Sequence, residues 1–170
     1  MTENNATTVT HCVTVIMDEP SGESDEPVPD GEQLESCLRR WLAFLVNEPS
    51  AVSLKIAGES LSRSLNHQYR GIDKPTNVLS FPTGEILRDE GYVLLGDLLI
   101  CHPVMVREAK QQGKALNAHY AHICIHGLLH LLGYDHESDS AAKEMESLEI
   151  TMLEDLGFQN PYEIKQGAVP

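Results

Sequence analysis

HYAHICIHGLLHLLGYDHESD, residues 119–139, contains five histidines, and three of them, His126, His130 and His136, are spaced so that one helix and the turn after it would bring them together. The apolar residues between the histidines predict a buried helix. Positions i and i+4 of a helix share one face, so His126 and His130 are expected to present their imidazoles side by side. Gly133 is expected to end the helix in the left-handed conformation. The chain then turns back and brings His136 to the same point.

Three neutral imidazoles that converge on one point form a zinc site. A single histidine, or a pair at i and i+4, is usually structural, but the full pattern H-x3-H-x2-G-x2-H is rarely a product of chance. We therefore predict that His126, His130 and His136 are metal ligands. No fourth protein ligand is apparent in the sequence, so the fourth position is expected to hold water, as in catalytic zinc sites.

The spacing also matches the extended zincin pattern H-E-x-x-H-x-x-G-x-x-H, with one difference. Gly127 occupies the position of the glutamate that takes a proton from water in those peptidases. The chain thus has the metal-binding histidines of a peptidase without its general base. A zincin-like metalloprotease that lacks the usual glutamate is therefore an alternative, but peptide hydrolysis is not the leading interpretation.

The composition is that of one soluble globular domain. The chain has 170 residues, of which 41% are hydrophobic and 22% are charged, and residues 1–170 are treated as a single domain. No apolar run reaches the length of a membrane span, and the N-terminus MTENNATT does not resemble a signal peptide, so we expect a cytoplasmic protein without membrane contact. Four cysteines without a C-x-x-C pair are expected to be reduced and mostly buried: Cys12, Cys37, Cys101 and Cys124.

The net charge of −14 argues against a broad nucleic-acid-binding surface. Half of this charge comes from residues 18–32, which hold seven acids and no base and have the composition of a solvated, mobile loop. Residues 55–75, by contrast, carry four cations against two acids. These cations are Lys55, Arg63, Arg70 and Lys74. A locally positive groove fits this distribution, but any affinity for nucleic acid is expected to be modest or to need a partner.

Periodicity and capping signals predict an α+β domain with a small mixed four-stranded sheet and about five helices, in the order β-α-β-α-β-β-α-α-α. Strands are predicted within residues 8–17, 51–57, 71–82 and 92–101. The first helix is predicted to begin at the capping pair Asp30 and Gln33, and the second to span residues 59–70. The third is predicted from Pro103 to about Gly113, the fourth with Asn117 as its N-cap, and the fifth from Ser138 or Asp139 to Gly157. Residues 159–170 are expected to form a loose tail.

The two later strands differ in character. Pro75 and Pro82 bracket the strand within residues 71–82, which favours an edge strand, whereas the apolar run at residues 92–101 is expected to be central. Gly96 and Asp97 interrupt that run and indicate a bulge or a close approach to another group. Two roles stay open for Asp97, which is either an acceptor for the N–H of a zinc-bound imidazole or a bulge residue.

Three motifs, in order, carry a resemblance to a known family. They are L-N-x-x-Y-R-x-x-D-x-P-T-N-V-L-S-F-P at residues 65–82, L-L-G-D at residues 94–97 and H-G-x-L-H-L-x-G-Y-D-H at residues 126–136. Over about residues 51–162 the chain resembles the YbeY family of bacterial single-strand-specific endoribonucleases, which act in rRNA maturation. The first 50 residues carry no comparable motif.

The resemblance implies a zinc-dependent endoribonuclease that acts in 16S rRNA 3′-end maturation and in ribosome quality control. It places one Zn2+ ion on His126, His130 and His136, completed by water, and the family's functionally important arginine on Arg70. The implied partners are single-stranded rRNA and the ribosome or its small subunit with associated proteins, and no DNA partner is expected. A non-catalytic ribosome-associated module that uses zinc only for stability is a further alternative.

Further candidate residues surround the motifs. The planar guanidinium of Arg70 suits a phosphate, and a surface salt bridge with Asp73 is its competing role. His119 is expected to be a surface residue, and Asp135 is expected to orient a ligand, to act as a base or to hold the turn. Four side chains are candidates for contact with substrate, of which the first three have a structural role as the alternative: Lys74, Asn77, Ser80 and His122.

Overall fold

The fold, taken from a computed structural model, is described for residues 9–18 and 24–163, without the side chains of residues 84–88. Four strands are formed: β1 (Cys12–Met17), β2 (Ser50–Ala57), β3 (Val78–Asp89) and β4 (Tyr92–Cys101). Five helices are formed: α1 (Gly31–Leu45), α2 (Glu59–Arg70), α3 (His102–Gln112), α4 (Leu116–Leu131) and α5 (Asp139–Asp155). Their order along the chain confirms the predicted one.

The four strands form one mixed sheet in the order β1-β2-β4-β3. Strands β1, β2 and β4 run parallel, and β3 runs antiparallel to β4. The predicted α+β class with a small mixed four-stranded sheet and five helices is therefore confirmed. The predicted positions within the sheet are confirmed as well, because β4 lies between two strands and the proline-bracketed β3 lies at an edge.

Strand β3 is longer than the sequence predicted. The prediction ended at Pro82, but the strand continues to Asp89, and Asp89 pairs with Tyr92 across a two-residue turn. Both turn residues, Glu90 and Gly91, have positive φ angles of 48° and 85°, which suits the tight twist of a hairpin. An edge strand tolerates a proline that an interior strand excludes, so Pro82 does not end β3.

The two faces of the sheet carry two separate cores. Side chains of alternating positions in β2 and β4, including Leu54, Ile56 and Leu98, face a large core that they share with α1, α4 and α5. Leu99 of β4 points the other way and packs in a small cluster, against which α2 places Leu61 and Leu65. Helices α2 and α4 therefore lie on opposite faces of the sheet.

The predicted close approach at Gly96 is confirmed. Gly96 has a φ angle of 138°, and a Cβ atom there would lie 2.2 Å from the carbonyl oxygen of Phe81 and 3.0 Å from Cδ2 of Leu131. The strand register also shifts at this point, because Leu95 falls between the residues that pair with β2. Only glycine lets β4 pass so close to β3 and to helix α4.

Helix α4 begins two residues earlier than predicted and ends as predicted. Its N-cap is Ala115, whose carbonyl accepts the N–H of His119 at 3.1 Å, so the prediction that Asn117 caps the helix was wrong. At the other end, Gly133 is left-handed with a φ angle of 94°, and the N–H of Tyr134 donates to the carbonyl of Leu129 at 3.0 Å. This pair of features is the Schellman ending, which redirects the chain after the helix.

The caps of the flanking helices follow the sequence. Asp30 accepts a hydrogen bond from the backbone of Gln33 at 3.0 Å, and Ser138 accepts one from the backbone of Ala141 at 3.1 Å. Ser138, rather than Asp139, is therefore the cap of α5. Within the ranges that the structure describes, no helix combines the length and the hydropathy needed to cross a bilayer.

Part of the acidic segment is anchored to the helices. Residues 19–23 of this segment lie outside the described residues, but the carbonyl of Glu26 accepts a hydrogen bond from Nε2 of the buried His102 at 2.8 Å. The other ring nitrogen of His102 lies 2.6 Å from the hydroxyl of Tyr120 in α4, and Val28 packs against the large core. The described residues of this predicted mobile loop are thus tied to α3 and α4.

The cysteines are free, as predicted, but only two of them are buried. Cys101 and Cys124 are buried, Cys37 is half-buried and Cys12 is exposed. Burial raises the pKa of the Cys124 thiol to about 12, which keeps it protonated and chemically inert.

Candidate metal centre

The structure brings the three predicted ligands together. The nearest ring nitrogens of His126, His130 and His136 all lie within 4.8 Å of one another. Nε2 of His126 lies 3.0 Å from Nε2 of His130, which follows it by one turn on α4. Two nitrogens on a tetrahedral zinc ion with bonds of about 2.05 Å lie roughly 3.3 Å apart, so the spacing of the His126 and His130 nitrogens is close to that of two zinc ligands. Gly133 supplies the bend that returns His136 to the group.

The group of histidines is open on one side. His126 and His130 are half-buried, and His136 is exposed. No fourth His, Cys, Asp or Glu from the described parts of the chain joins the three to complete a closed set of ligands. A centre with three protein ligands and solvent access has the arrangement of catalytic rather than structural zinc sites.

A buried glutamate on α5 holds the first of these histidines. Glu149 is fully buried, and its Oε1 atom lies 2.5 Å from Nδ1 of His126. Its Oε2 atom lies 3.2 Å from Nε2 of His122 and accepts a hydrogen bond from the hydroxyl of Tyr162. A carboxylate at Nδ1 places the proton of the His126 ring there, which leaves the lone pair of Nε2 directed at the other two histidines.

The charges of the site suit a cation. Burial acts to raise the pKa of Glu149, but hydrogen bonds from His122, His126 and Tyr162 outweigh it and lower the pKa to about 2. The pKa of His130 is lowered by burial and by its neighbours His126 and His136. The carboxylate behind the site is therefore ionised at neutral pH, and the ring of His130 is neutral, as a metal ligand must be.

Sequence reasoning missed Glu149, although a signal was present. Met145 and Met152 of α5 are buried in the large core, and Glu149 lies on the same helical stripe, four residues after one and three before the other. A charged residue in the middle of a core stripe needs a buried partner. One role considered for Asp97 was to accept the N–H of an imidazole, and it is Glu149 that lies at such an imidazole, that of His126. Asp97 instead accepts a hydrogen bond from Ser53 of the neighbouring strand.

The residue in the place of the peptidase glutamate faces the sheet. A Cβ atom on Gly127 would lie 2.9 Å from Cδ2 of Leu98 and 3.5 Å from Oγ of Ser80. Ser80 of β3 also donates a hydrogen bond of 3.4 Å to the carbonyl of Gly127, next to His126. Ser80 is thus the candidate substrate residue that lies directly beside the histidine helix. A side chain at this position would have to displace the buried side chain of Leu98.

Asn77 belongs to a second polar cluster, at the other end of α4. Its side-chain amide donates to Oε2 of Glu108 at 3.1 Å, and the same oxygen lies 2.7 Å from Nε2 of His119. His119 is 2% exposed, so the expectation that it is a surface residue was wrong. The reason is that α3 covers the start of α4 and pairs Glu108 with it.

Arg70 and Lys74 lie at the end of α2 and in the loop after it, where both are exposed. Asp73 forms a two-point ion pair with Arg63, at 2.8 and 3.1 Å, and is therefore not the partner of Arg70. Lys55 pairs with Asp18 at 2.9 Å. Of the four cations in residues 55–75, only Arg70 and Lys74 have side chains without a hydrogen bond or an ion pair among the described residues.

Two other expectations concern residues that follow α4. Asp135 accepts a hydrogen bond from the backbone of Glu137 at 3.1 Å, which is the turn role that was one of its three options. The segment expected to be a loose tail contains Tyr162, whose backbone N–H also bonds to Asn160 at 2.8 Å. Residues 164–170 of that tail lie outside the described residues.

Fold and site together define an α+β protein whose surface presents an open group of three histidines, backed by a buried carboxylate, that can hold a divalent metal. Comparison with known proteins identifies the family. The family model described as Endoribonuclease YbeY matches residues 22–157, and the chain belongs to this family.

Two relatives named Endoribonuclease YbeY show the extent of the similarity. The protein of Azoarcus sp. (strain BH72) is 48% identical over 128 residues, which is 74% of this chain and 51% of that protein. The protein of Pseudomonas entomophila (strain L48) is 47% identical over 144 residues, which is 82% of this chain and 88% of that protein. The alignment thus spans about half the length of the first relative and most of the second. A solution structure of a Thermotoga maritima protein aligns with 92% of this chain and 99% of its own, at 22% identity and a TM-score of 0.48.

Proposed function

We propose that this chain is a zinc-dependent, single-strand-specific endoribonuclease that acts in the cytoplasm in 16S rRNA 3′-end maturation and in ribosome quality control. One observation carries the proposal: in a member of an endoribonuclease family, His126, His130 and His136 place their ring nitrogens within 4.8 Å of one another and remain accessible to solvent. The biological setting rests on the resemblance of the motifs to the family.

The residues divide the chemistry between them. A bound Zn2+ would supply a Lewis acid, which polarises a phosphoryl oxygen and lowers the pKa of water to roughly 7. His126, His130 and His136 hold the ion, and Glu149 keeps His126 in the tautomer that can do so. The exposed guanidinium of Arg70 offers two parallel N–H donors to the charged oxygens of a phosphodiester in the transition state.

The charge distribution favours an RNA substrate that a larger assembly presents to the protein over one that the protein binds by electrostatic attraction alone. Arg70 and Lys74 are two cations on a chain whose net charge is −14, so electrostatic attraction to a polyanion is weak overall. A substrate presented by a larger assembly needs little general affinity, because binding to the assembly supplies a high effective concentration. Weak general affinity for RNA therefore favours action on rRNA within a ribosomal particle over action on free RNA.

The peptidase alternative loses support at Gly127. Proteolysis of the zincin type requires a carboxylate next to the first histidine, but glycine stands there, and any side chain in its place would have to displace the buried Leu98. A phosphodiester needs stabilisation of negative charge more than it needs that glutamate. The geometry therefore favours the nuclease.

The test combines metal analysis with cleavage of defined RNA. The purified full chain is examined by elemental analysis and is then given one labelled sequence as single-stranded RNA, as a duplex and as single-stranded DNA. We expect about one equivalent of zinc. Single-stranded RNA should be cut and the duplex and DNA left intact, and a chelator should abolish cleavage that added Zn2+ restores. Full activity in a metal-free sample would refute the proposal, and metal binding without turnover would support the stability module instead.

A further inference from the structure

The carboxylate of Glu149 lies behind the metal centre without belonging to it. Both of its oxygens are engaged, one by Nδ1 of His126 at 2.5 Å and the other by Nε2 of His122 and the hydroxyl of Tyr162. Glu149 itself is fully buried, on the face of α5 that packs against α4. No water molecule is needed to satisfy this carboxylate, because three protein donors surround it.

We propose that Glu149 is the positioning residue of the metal centre and that His122 and Tyr162 hold Glu149 in place. In this arrangement, the orientation of the His126 ring and the affinity of the centre for metal depend on α5 and on the segment that follows it. The inference rests on the proposed metal site and adds to it three residues that do not touch the ion.

Stability alone gives no reason for a carboxylate at this position. Glu149 occupies a core stripe between Met145 and Met152, where an apolar side chain would pack without desolvating a charge. Replacing a buried charge network with apolar residues is often neutral or stabilising. A carboxylate is useful here because it binds Nδ1 of a histidine whose Nε2 has another task.

His122 supports the carboxylate rather than a substrate. Its Nε2 atom lies 3.2 Å from Glu149 and 3.2 Å from the hydroxyl of Tyr162. Its Nδ1 atom is buried without a partner in the described structure, so the ring carries its proton on Nε2 and donates inward. Neither ring nitrogen is therefore available to RNA, because Nε2 is engaged and Nδ1 is buried.

Tyr162 closes the arrangement from the C-terminal side. The chain leaves α5 at Leu156, and Phe158 packs against the large core. Tyr162 then returns to α4, where its ring packs edge to face with the ring of His122, with centroids 5.4 Å apart. The ring of Tyr162 is 41% exposed, yet its hydroxyl reaches the buried carboxylate. A side chain on the surface is thus connected to a metal ligand through one buried residue.

The experiment measures metal binding in the absence of RNA. The apo chain is titrated with Co2+, whose visible absorption reports the ligand geometry, and with Zn2+ in competition with a chromogenic chelator. Glu149→Gln keeps the shape but loses the charge, and we expect its affinity to fall about 10- to 100-fold with an altered Co2+ spectrum. Tyr162→Phe removes one hydroxyl and should weaken binding by a smaller factor, of about threefold to tenfold. Glu154→Gln, on an exposed position of the same helix, is the matched control and should bind like the wild type.

The outcomes separate this inference from the proposed function. Wild-type metal affinity and spectrum in both Glu149→Gln and Tyr162→Phe would overturn the positioning role while leaving the metal site intact. A wild-type chain that binds no metal would instead refute the proposed function itself. If Glu149→Gln fails to fold, Tyr162→Phe decides, because the Tyr162 side chain lies partly at the surface and its hydroxyl can be removed without opening the core. Unchanged metal affinity in that variant would overturn the proposal.

Discussion

The predicted catalytic residues lie on two faces of the sheet that differ in physical character. On one face, α4 and the turn after it carry His126, His130 and His136 in a region where polar groups are buried and partnered, down to the fully buried Glu149. On the other face, α2 ends at Arg70, an exposed side chain with no ion pair among the described residues. One part of the proposed site is thus built by packing, and the other is a side chain exposed to solvent.

This difference predicts how mutations should behave. The α4 face belongs to the large core, so a change there should alter metal binding and stability together. The α2 face rests on a small cluster, with three buried residues among those that the structure describes, and its exposed side chains contribute little to stability. A change to an exposed side chain of α2 that acts on RNA should alter cleavage alone.

The largest effect is expected from His126→Ala on the α4 face. The substitution removes one of the three proposed metal ligands and also leaves the buried Glu149 without its hydrogen bond of 2.5 Å from Nδ1 of His126. Cleavage of single-stranded RNA should fall by roughly a thousandfold or more. Zinc content, measured on the same preparation, should fall with it, and chemical unfolding should show a loss of about 1–3 kcal/mol. Activity that survives with no zinc present would contradict the division between the two faces.

Arg70→Gln on the α2 face should show the second-largest effect, and only in catalysis. Loss of one charged donor to a transition state typically costs about 10²- to 10³-fold in rate. Zinc content and the free energy of unfolding should stay at wild-type values, within about 0.5 kcal/mol.

Arg63→Gln is the matched control for this prediction. Arg63 lies on the same helix but is already paired with Asp73, so its removal should leave the cleavage rate nearly unchanged. Equal losses of activity in the two variants would indicate a general electrostatic role for the α2 face. Loss of zinc in Arg70→Gln would indicate a structural one.

The sequence was sufficient for the parts of the site that are close together along the chain. His126, His130 and His136 fall within one helix and its ending, so periodicity and one glycine predict their convergence. The bounds of α2 were predicted to the residue, because its apolar stripe and the following Gly71 are both local signals. Local geometry of this kind does not depend on the rest of the fold.

The parts that depend on tertiary contacts were missed. Glu149 is 23 residues from His126, and no short-range pattern relates the two. His119 was predicted to be a surface residue, but it is buried and Glu108 of α3 lies against its ring. The second half of β3 forms because β4 offers it hydrogen bonds, which outweighs the signal of Pro82. In each case the sequence does not show which helix or strand packs against the residue concerned.

Two glycines, one on each face, allow the packing of the two faces to be compared through the free energy of unfolding. Gly96 lies where β4 meets α4, and Gly71 ends α2 with a φ angle of 72° and no atom within 4 Å of an added Cβ. Gly71→Ala should cost about 1 kcal/mol, the usual penalty for a left-handed alanine. Gly96→Ala adds a collision with the backbone of Phe81 and should cost about 3 kcal/mol. Urea unfolding of both variants measures the difference, and equal costs would show that the α4 face is less tightly packed than the distances indicate.

The smallest effect concerns the second polar cluster of the α4 face and depends on pH. Burial acts to raise the pKa of Glu108, but hydrogen bonds from His119 and Asn77 outweigh it, and the pKa lies below its ordinary value. A carboxyl whose pKa is lower in the folded state stabilises the fold above its unfolded pKa of about 4.3, and this contribution is lost as the pH falls through the folded value. Glu108→Gln should therefore lower the free energy of unfolding by about 1 kcal/mol at neutral pH, and the difference from wild type should shrink below a pH of about 4.

Exposed Glu144→Gln is the control for this titration, because its carboxyl has no hydrogen bond or ion pair among the described residues. It should follow the wild-type stability curve at every pH. The curves come from urea unfolding between a pH of about 7 and a pH of about 3.5, which spans the titration of a carboxyl with a lowered pKa. A constant gap between Glu108→Gln and wild type across this range would mean that the cluster stabilises α3 against α4 through shape and not through charge. The polar groups of the α4 face would then be buried for packing at one end of the helix and for metal binding at the other.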